Sequence, residues 1–257
     1  IAAKVSDLYE LACNADTEIT VTAGATEALF CAIAAVVHAG DEVIVLDPAY
    51  DSYDPVIRLQ GAVPVHVSLM APAYRIDWDR IEAAITANTR LLVLNSPHNP
   101  TGMVMDESDI AALSALCAKY DIYLIGDEVY EHMVFDQAKH LSLCGYAELY
   151  ARSFVISSFG KTYHVTGWKV GYCVAPPALT TELRRLHQYV TFTVNTPVQL
   201  GIADFLQQHP EHHQQLPAFY QAKRDRFCEL LQGSRFTVVP SQGTYFQLLG
   251  YDAISAE

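Results

Sequence analysis

Seven short apolar or β-branched runs recur along the chain, at residues 19–22, 42–47, 63–67, 91–95, 122–127, 154–157 and 170–174. The stretches between them carry helical periodicity, and this alternation is the mark of a βαβ architecture. Several runs lack polar alternation, which is what strands covered on both faces require. The expectation is an α/β fold built on a mostly parallel seven-stranded sheet between helices. Asp77 is placed to cap a helix that turns Trp78, Ile81 and Ile85 to one side, and Asp106 to cap another with Ile110, Leu113, Leu116 and Cys117 inward. Thr196 followed by Pro197 reads as a cap and a first-turn proline, and Pro210 as the opening of a helix toward Leu231. After Gly233 the pattern changes to two short strands, 236–239 and 244–249. The expected division is therefore a large domain over residues 1–232 and the start of a truncated smaller α/β domain over 233–257.

Composition narrows the function classes. With 51% hydrophobic residues in 257, the chain has ample apolar surface for a packed core and is not disordered. No run of about 18 apolar residues exists, so no membrane span is expected. The net charge of −13 argues against a nucleic-acid binder, which would present a basic face. The six cysteines are scattered without a C-x-x-C pair, and Cys31, Cys117, Cys173 and Cys228 fall in apolar or amphipathic stretches. Buried free thiols in a reducing cytoplasm are the expectation.

The chemistry gathers where the runs end. Ligands of parallel α/β sheets sit beyond the carboxyl ends of the strands. Five of the seven runs end in small, polar or aromatic residues: Ala23-Gly24-Ala25-Thr26, Asp47-Pro48-Ala49-Tyr50, Asn95-Ser96-Pro97-His98-Asn99-Pro100-Thr101-Gly102, Asp127-Glu128-Val129-Tyr130 and Ser157-Ser158-Phe159-Gly160-Lys161. The first joins a strand to a helix over 28–37. It is either an anion cradle at a helix N-terminus or a tight turn capped by Thr26, and it lacks the G-x-G-x-x-G of a dinucleotide site. Asp127 closes an apolar run and needs a cation, supplied by a neighbouring base, a metal or a protonated cofactor ring nitrogen. Glu128 and Glu131 are read as facing away from it. Lys161 follows a strand through Gly160, either as a solvated loop lysine or as a sheltered amine fit for nucleophilic and acid–base work. Lys169 is a second cation nearby, placed to meet a phosphate. Tyr50 suits stacking on a ligand or packing in the core. His164 reads as a packing residue, and His209, His212 and His213 as a solvated helix start. No metal site is expected.

Taken in order and spacing, these motifs, together with Thr166-Gly167-Trp168-Lys169-Val170-Gly171-Tyr172, resemble the class I/II aminotransferases, fold type I enzymes dependent on pyridoxal 5′-phosphate. The similarity runs from about Ile19 to Tyr245, and within the family it is strongest to the methionine aminotransferase and kynurenine (glutamine) aminotransferase subgroup. The resemblance implies a cytoplasmic homodimer that moves an amino group between an amino acid and a 2-oxo acid, with no nucleic-acid or membrane partner. It implies that Lys161 bonds the cofactor and then moves the proton, that Asp127 keeps the ring nitrogen protonated, and that Tyr130 and Asn99 bond the ring's phenolate oxygen. Asn99 also touches substrate, Tyr50 stacks on the ring, Asn95 supports the wall, and Ala25, Thr26, Ser158 and Lys169 hold the phosphate. Phe192 is implied to reach the pocket of the other subunit. Thr193 stands where some kynurenine aminotransferases have histidine, which argues against kynurenine as the main substrate. Tyr50 and Phe192 as apolar lining, with no second arginine to place in the pocket, point to methionine, the aromatics or other large uncharged side chains as donors. The family's chains begin before Ile1 and run past Glu257 to the arginine for the substrate carboxylate, so these residues are expected to hold the cofactor site and part of the substrate site. Two other outcomes fit the same scaffold: a cysteine-conjugate β-lyase, and a regulatory domain that binds the cofactor without turnover.

Overall fold

The computed structural model describes residues 1–255. Among them, seven strands form one sheet: β1 (Ile19–Thr22), β2 (Glu42–Asp47), β3 (Val63–Ser68), β4 (Thr89–Asn95), β5 (Tyr123–Asp127), β6 (Ser153–Ser158) and β7 (Gly171–Val174). Their order is β1-β7-β6-β5-β4-β2-β3. All lateral pairs are parallel except those of β7, which runs antiparallel to both β1 and β6. The seven expected strands are all present. The reversal of β7 brings its amino end to the edge where the other strands finish, with Gly171 paired to both Thr22 and Ser158.

Both faces of the central strands are apolar, and successive residues feed different cores. Val43, Val45, Leu91, Val93, Ile125 and Phe154 pack under the helices Gly24–Val36 and Pro177–Val190. Ile44, Leu46, Leu92, Leu94, Leu124 and Val155 pack on the opposite face, beneath Glu107–Lys119. That helix starts where expected: the Asp106 carboxylate accepts from the Ser108 and Asp109 amides, and Asp109 returns the bond to the Asp106 amide. Asp77 likewise caps Trp78–Ala84. Among the described residues no helix is long and apolar enough to cross a membrane.

Several expected boundaries move. The helix after β1 begins at Gly24, so Thr26 lies inside its first turn and does not cap it. Asn195, one residue before the expected cap, accepts from the Val198 amide and starts Thr196–Gln208. Pro210 does not open the long helix, which runs Leu216–Leu230 behind a 3-10 turn at His212–Gln215. The last strands are short, β8 (Thr237–Val238) and β9 (Leu249–Gly250), and they pair antiparallel. Of the expected strand over 244–249 only Leu249 is in a strand, and 244–248 form an irregular segment. Thr244 sits at φ 65°, which breaks the extended run, and only Gly243 forms a bridge, with Val134. This segment lies back across the larger unit: the Phe135 amide donates to the Gln242 carbonyl, and the Gln242 and Thr244 amides donate to the Gly102 and Met133 carbonyls. All six cysteines are free thiols. Cys31, Cys117, Cys144 and Cys173 are buried, whereas Cys228, expected inside, is half-exposed because the helix carrying it buries little of its length.

Candidate active site

The carboxyl edge of the sheet opens into a cleft of about 290 Å³. Ten of the residues singled out in the sequence line it: Ala25, Thr26, Tyr50, Asn95, Asn99, Asp127, Tyr130, Ser158, Lys161 and Lys169. Phe192 does not. It lies on a separate groove with Arg184 and His187, at φ 63° and 74% exposed.

Strand register builds the deep end. Asn95 and Asp127 are paired at the ends of β4 and β5. The Asn95 amide donates to the Asp127 carbonyl at 2.8 Å, and its oxygen accepts from the Asn99 amide at 2.6 Å, which ties the 96–102 loop to β5. The Asp127 carboxylate is buried and accepts from the Tyr53 hydroxyl at 2.6 Å. Burial pushes its pKa up to about 6, partly offset by the Tyr53 bond and the Val129 amide. No lysine, arginine or histidine of the described residues forms an ion pair with it. Tyr53 went unassigned in the sequence. It opens the helix Tyr53–Leu59 three residues after Tyr50, and its ring meets Tyr50 edge-on at 5.7 Å.

Glu128 and Glu131 do face away. Glu128 bonds the His140 ring and the Leu143 amide at 2.9 Å. Glu131 is almost fully enclosed and receives Lys4, Tyr9 and Ser157. Its pKa is held well below the carboxylate range. Burial alone would raise it, but the Lys4 charge, with His132 and His140 in support, outweighs that. Lys4 comes from the helix Ala2–Tyr9.

Between the deep end and the mouth stands Lys161, in the one-turn helix Phe159–Thr162, capped by Ser158 through the Gly160 amide at 3.0 Å. Its Nζ donates to the Tyr245 hydroxyl at 2.6 Å. The Tyr130 ring stands edge-on to Tyr245 at 5.4 Å. Burial, with the neighbouring Tyr245 phenol adding to it, drives the Tyr130 phenol pKa upward. Tyr245 and Phe246, which also lines the cleft, were missed as site residues. The available signal was the Gly243-Thr244-Tyr245-Phe246 run, whose glycine hinted at a close approach rather than a strand.

The mouth carries groups of the kind that hold an anion. Gly24, Ala25 and Thr26, from the first turn of the helix Gly24–Val36, line it, and the first-turn amides of a helix have no partner within the helix. Lys169 adopts a left-handed backbone at φ 52°, and a Cβ on Gly24 would fall 3.1 Å from its Nζ, so glycine leaves that amine its place. Gly171 is equally constrained, because a Cβ there would lie 2.6 Å from the Ala25 nitrogen. The Ser158 hydroxyl accepts the helix cap, and its own proton has a distant partner, the Val170 carbonyl at 3.4 Å.

The histidines lie elsewhere. His164 is exposed and touches Tyr220. His212 is not solvated as expected: its ring stacks on Tyr163 at 5.3 Å and bonds the Thr162 carbonyl, while His213 packs on His132 at 4.6 Å. Among the described residues no three metal-ligating side chains gather.

Comparison with known proteins gives the context of this cleft. The family model for aminotransferase class I and II matches residues 1–257. Over 255 residues the chain is 51% identical to the methionine aminotransferase of Escherichia coli (strain K12), a match covering 99% of this chain and 66% of that protein. It is 36% identical over 252 residues to the kynurenine–oxoglutarate transaminase of Dictyostelium discoideum, covering 91% and 58%. Among solved structures, Escherichia coli YbdL, reported with a methionine aminotransferase function, superposes with a TM-score of 0.97 at 50% identity, covering 100% of this chain and 68% of that one. A double mutant of the Thermus thermophilus aspartate aminotransferase, of fold type I, gives 0.92 at 29% identity, covering 99% and 67%. The chain spans about two thirds or less of the length of the curated relatives it matches.

Proposed function

The chain belongs to the aminotransferase class I and II family, and from that premise we propose that its cleft holds pyridoxal 5′-phosphate and that the protein moves an amino group from an amino acid to a 2-oxo acid. The observation that carries this reading is three chemically different ends on one cleft: a buried carboxylate without a protein cation, a lysine amine, and an anion cradle. The residues fit the group. Asp127 is a desolvated carboxylate for which a protonated ring nitrogen is the missing partner. The first turn of Gly24–Val36, Ser158 and Lys169 match a phosphate. When bound, the cofactor supplies an electron sink for charge developing at the substrate α-carbon.

The chain's own residues do the rest. Asp127, steadied by Tyr53, keeps a proton on the ring nitrogen. Lys161 bonds the cofactor and, when its amine is free, takes and returns the proton at the substrate carbon. Tyr130 and Asn99 are offered to the ring's phenolate oxygen, Tyr50 stacks on the ring, and Asn95 fixes the loop that carries Asn99. Methionine and other large uncharged side chains are the proposed donors. Tyr50 and Phe246 give the lining aromatic surface, and the only cations among the described lining residues are Lys161 and Lys169. With both of these committed to the cofactor, an acidic side chain buried there would lack a partner. The name of the 51% identical relative supports the same choice. Phe192 at 74% and Tyr189 at 85% exposure are large aromatics left to solvent by one chain, which supports a homodimer in which Phe192 enters the partner's pocket. Residues 233–257 open the small domain on this reading; 256 and 257 lie outside the described residues.

The test is Lys161→Ala in the intact protein. Visible absorption of covalently held cofactor should vanish and transfer should fall by at least ~10³-fold. Borohydride fixation of the cofactor to another lysine rejects the assignment. With the unaltered protein, equal kcat/KM for aspartate and methionine rejects the donor class, and a fully active monomer by light scattering rejects the dimer.

A further inference from the structure

The segment 241–246 is locked from three sides. Its backbone bonds to Gly102, Met133 and Phe135, and a Cβ on Gly243 would strike the Met133 carbonyl and Pro97 at 2.8 Å, so the segment lies flat against the loop after β4. Thr244, fully buried, steadies the Phe246 amide through its hydroxyl. Tyr245 is therefore held on a rigid support with its phenol on Lys161 Nζ at 2.6 Å, the one hydrogen bond that amine makes among the described residues.

We propose that Tyr245 is a positioning residue for Lys161: its phenol oxygen holds the lysine amine at one point in the cleft whenever that amine is not covalently engaged. The inference rests on the reading of Lys161 as the cofactor lysine. A lysine side chain has many rotamers to lose when it is fixed, and Lys161 reaches into the cleft from a helix of a single turn. An unanchored amine would sample many positions, few of them within reach of an aldehyde carbon. The ring contacts of Tyr245 with Tyr130 at 5.4 Å and Phe246 at 4.8 Å would be kept by phenylalanine, so the hydroxyl is the part that acts on the amine.

The intact protein, stripped of cofactor and carrying Tyr245→Phe, gives the test. The rate at which added pyridoxal 5′-phosphate is captured, Nζ adding to the aldehyde carbon with loss of one water, is followed by absorbance. Pyridoxine 5′-phosphate, which has no aldehyde, reports occupancy of the same cleft without reaction. Capture should slow by about tenfold or more while pyridoxine 5′-phosphate binds as before, because orientation and not affinity has been removed. An unchanged capture rate overturns the proposal, and so does a parallel loss of pyridoxine 5′-phosphate binding, which would make Tyr245 a wall of the cleft. Lys161→Ala separates the premise from the inference: capture at the normal rate in that variant removes Lys161 as the cofactor lysine, whatever Tyr245→Phe does.

Discussion

Asp127 and Glu131 stand four residues apart at the end of one strand, both buried, and they are driven to opposite protonation behaviour. Asp127 rises to about 6, while Glu131 is held far below the usual range. Burial disfavours the charge on each, so the difference lies in what faces them. Glu131 meets Lys4, brought across from the helix Ala2–Tyr9, with Tyr9 and Ser157 on its oxygens. Asp127 meets a phenol, Tyr53, and an amide, but no cation among the described residues. A buried carboxylate that the fold supplies with its own cation is part of the frame. One to which the fold brings no cation is suited to receive a positively charged ligand group.

The strongest attack on this contrast is Lys4→Met. It leaves Glu131 enclosed with no formal cation and should destabilise the protein by about 3–5 kcal/mol in denaturant unfolding. Lys4→Met with Glu131→Gln should recover most of the loss. The pH dependence follows from the lowered pKa of Glu131: its contribution is present above the unfolded-state value and lost as pH falls through the folded one. The gap between the unaltered protein and Lys4→Met should therefore close in acid. A gap that is constant with pH, or under about 1 kcal/mol at neutral pH, breaks the comparison.

Asp127→Asn should next cost the transfer reaction roughly 3–4 kcal/mol of transition-state stabilisation, with the opposite sign in stability once the cofactor is removed. The folded pKa of about 6 lies above the ordinary 3.8, so folding penalises the charged form, not at all below the lower value and fully above the higher. The cofactor-free variant should gain up to about 3 kcal/mol near pH 8 and nothing near pH 3. A stability loss at pH 8 would show Asp127 to be framework like Glu131. The smallest effect belongs to an exposed cation. Lys169→Ala should weaken pyridoxine 5′-phosphate binding by about 1.5 kcal/mol at low salt, and by less as salt is added. A salt-independent loss would place Lys169 with the enclosed pairs instead.

Much of this was legible in the sequence because of where parallel strands stop. Once runs of buried strand are recognised, their terminal residues must converge on one edge, and Asn95, Asp127 and Ser158 do so without any knowledge of packing. What stayed hidden are the partners delivered from far along the chain: Tyr53 to Asp127 across 74 residues, Tyr245 to Lys161 across 84, and Lys4 to Glu131 across 127. No local pattern encodes such distances. The region 244–249 misled for a different reason. Its aromatic and aliphatic residues have the composition of a strand, but the left-handed Thr244 and the crowding at Gly243 commit the backbone to a support that offers it no second strand.

One consequence concerns the reversed strand. Ser158, Lys161 and Lys169 all belong to a single excursion of the chain, closed where Ser158 pairs with Gly171 and where the Phe159 amide donates to the Val170 carbonyl at 3.1 Å. The amine that would be bonded and the amine that would grip the anion thus rise and fall with one local opening event. Occupancy of the cleft should be recorded as slowed amide exchange across residues 159–170 as a block, and the residence time of the bound group should be governed by how often that loop breathes.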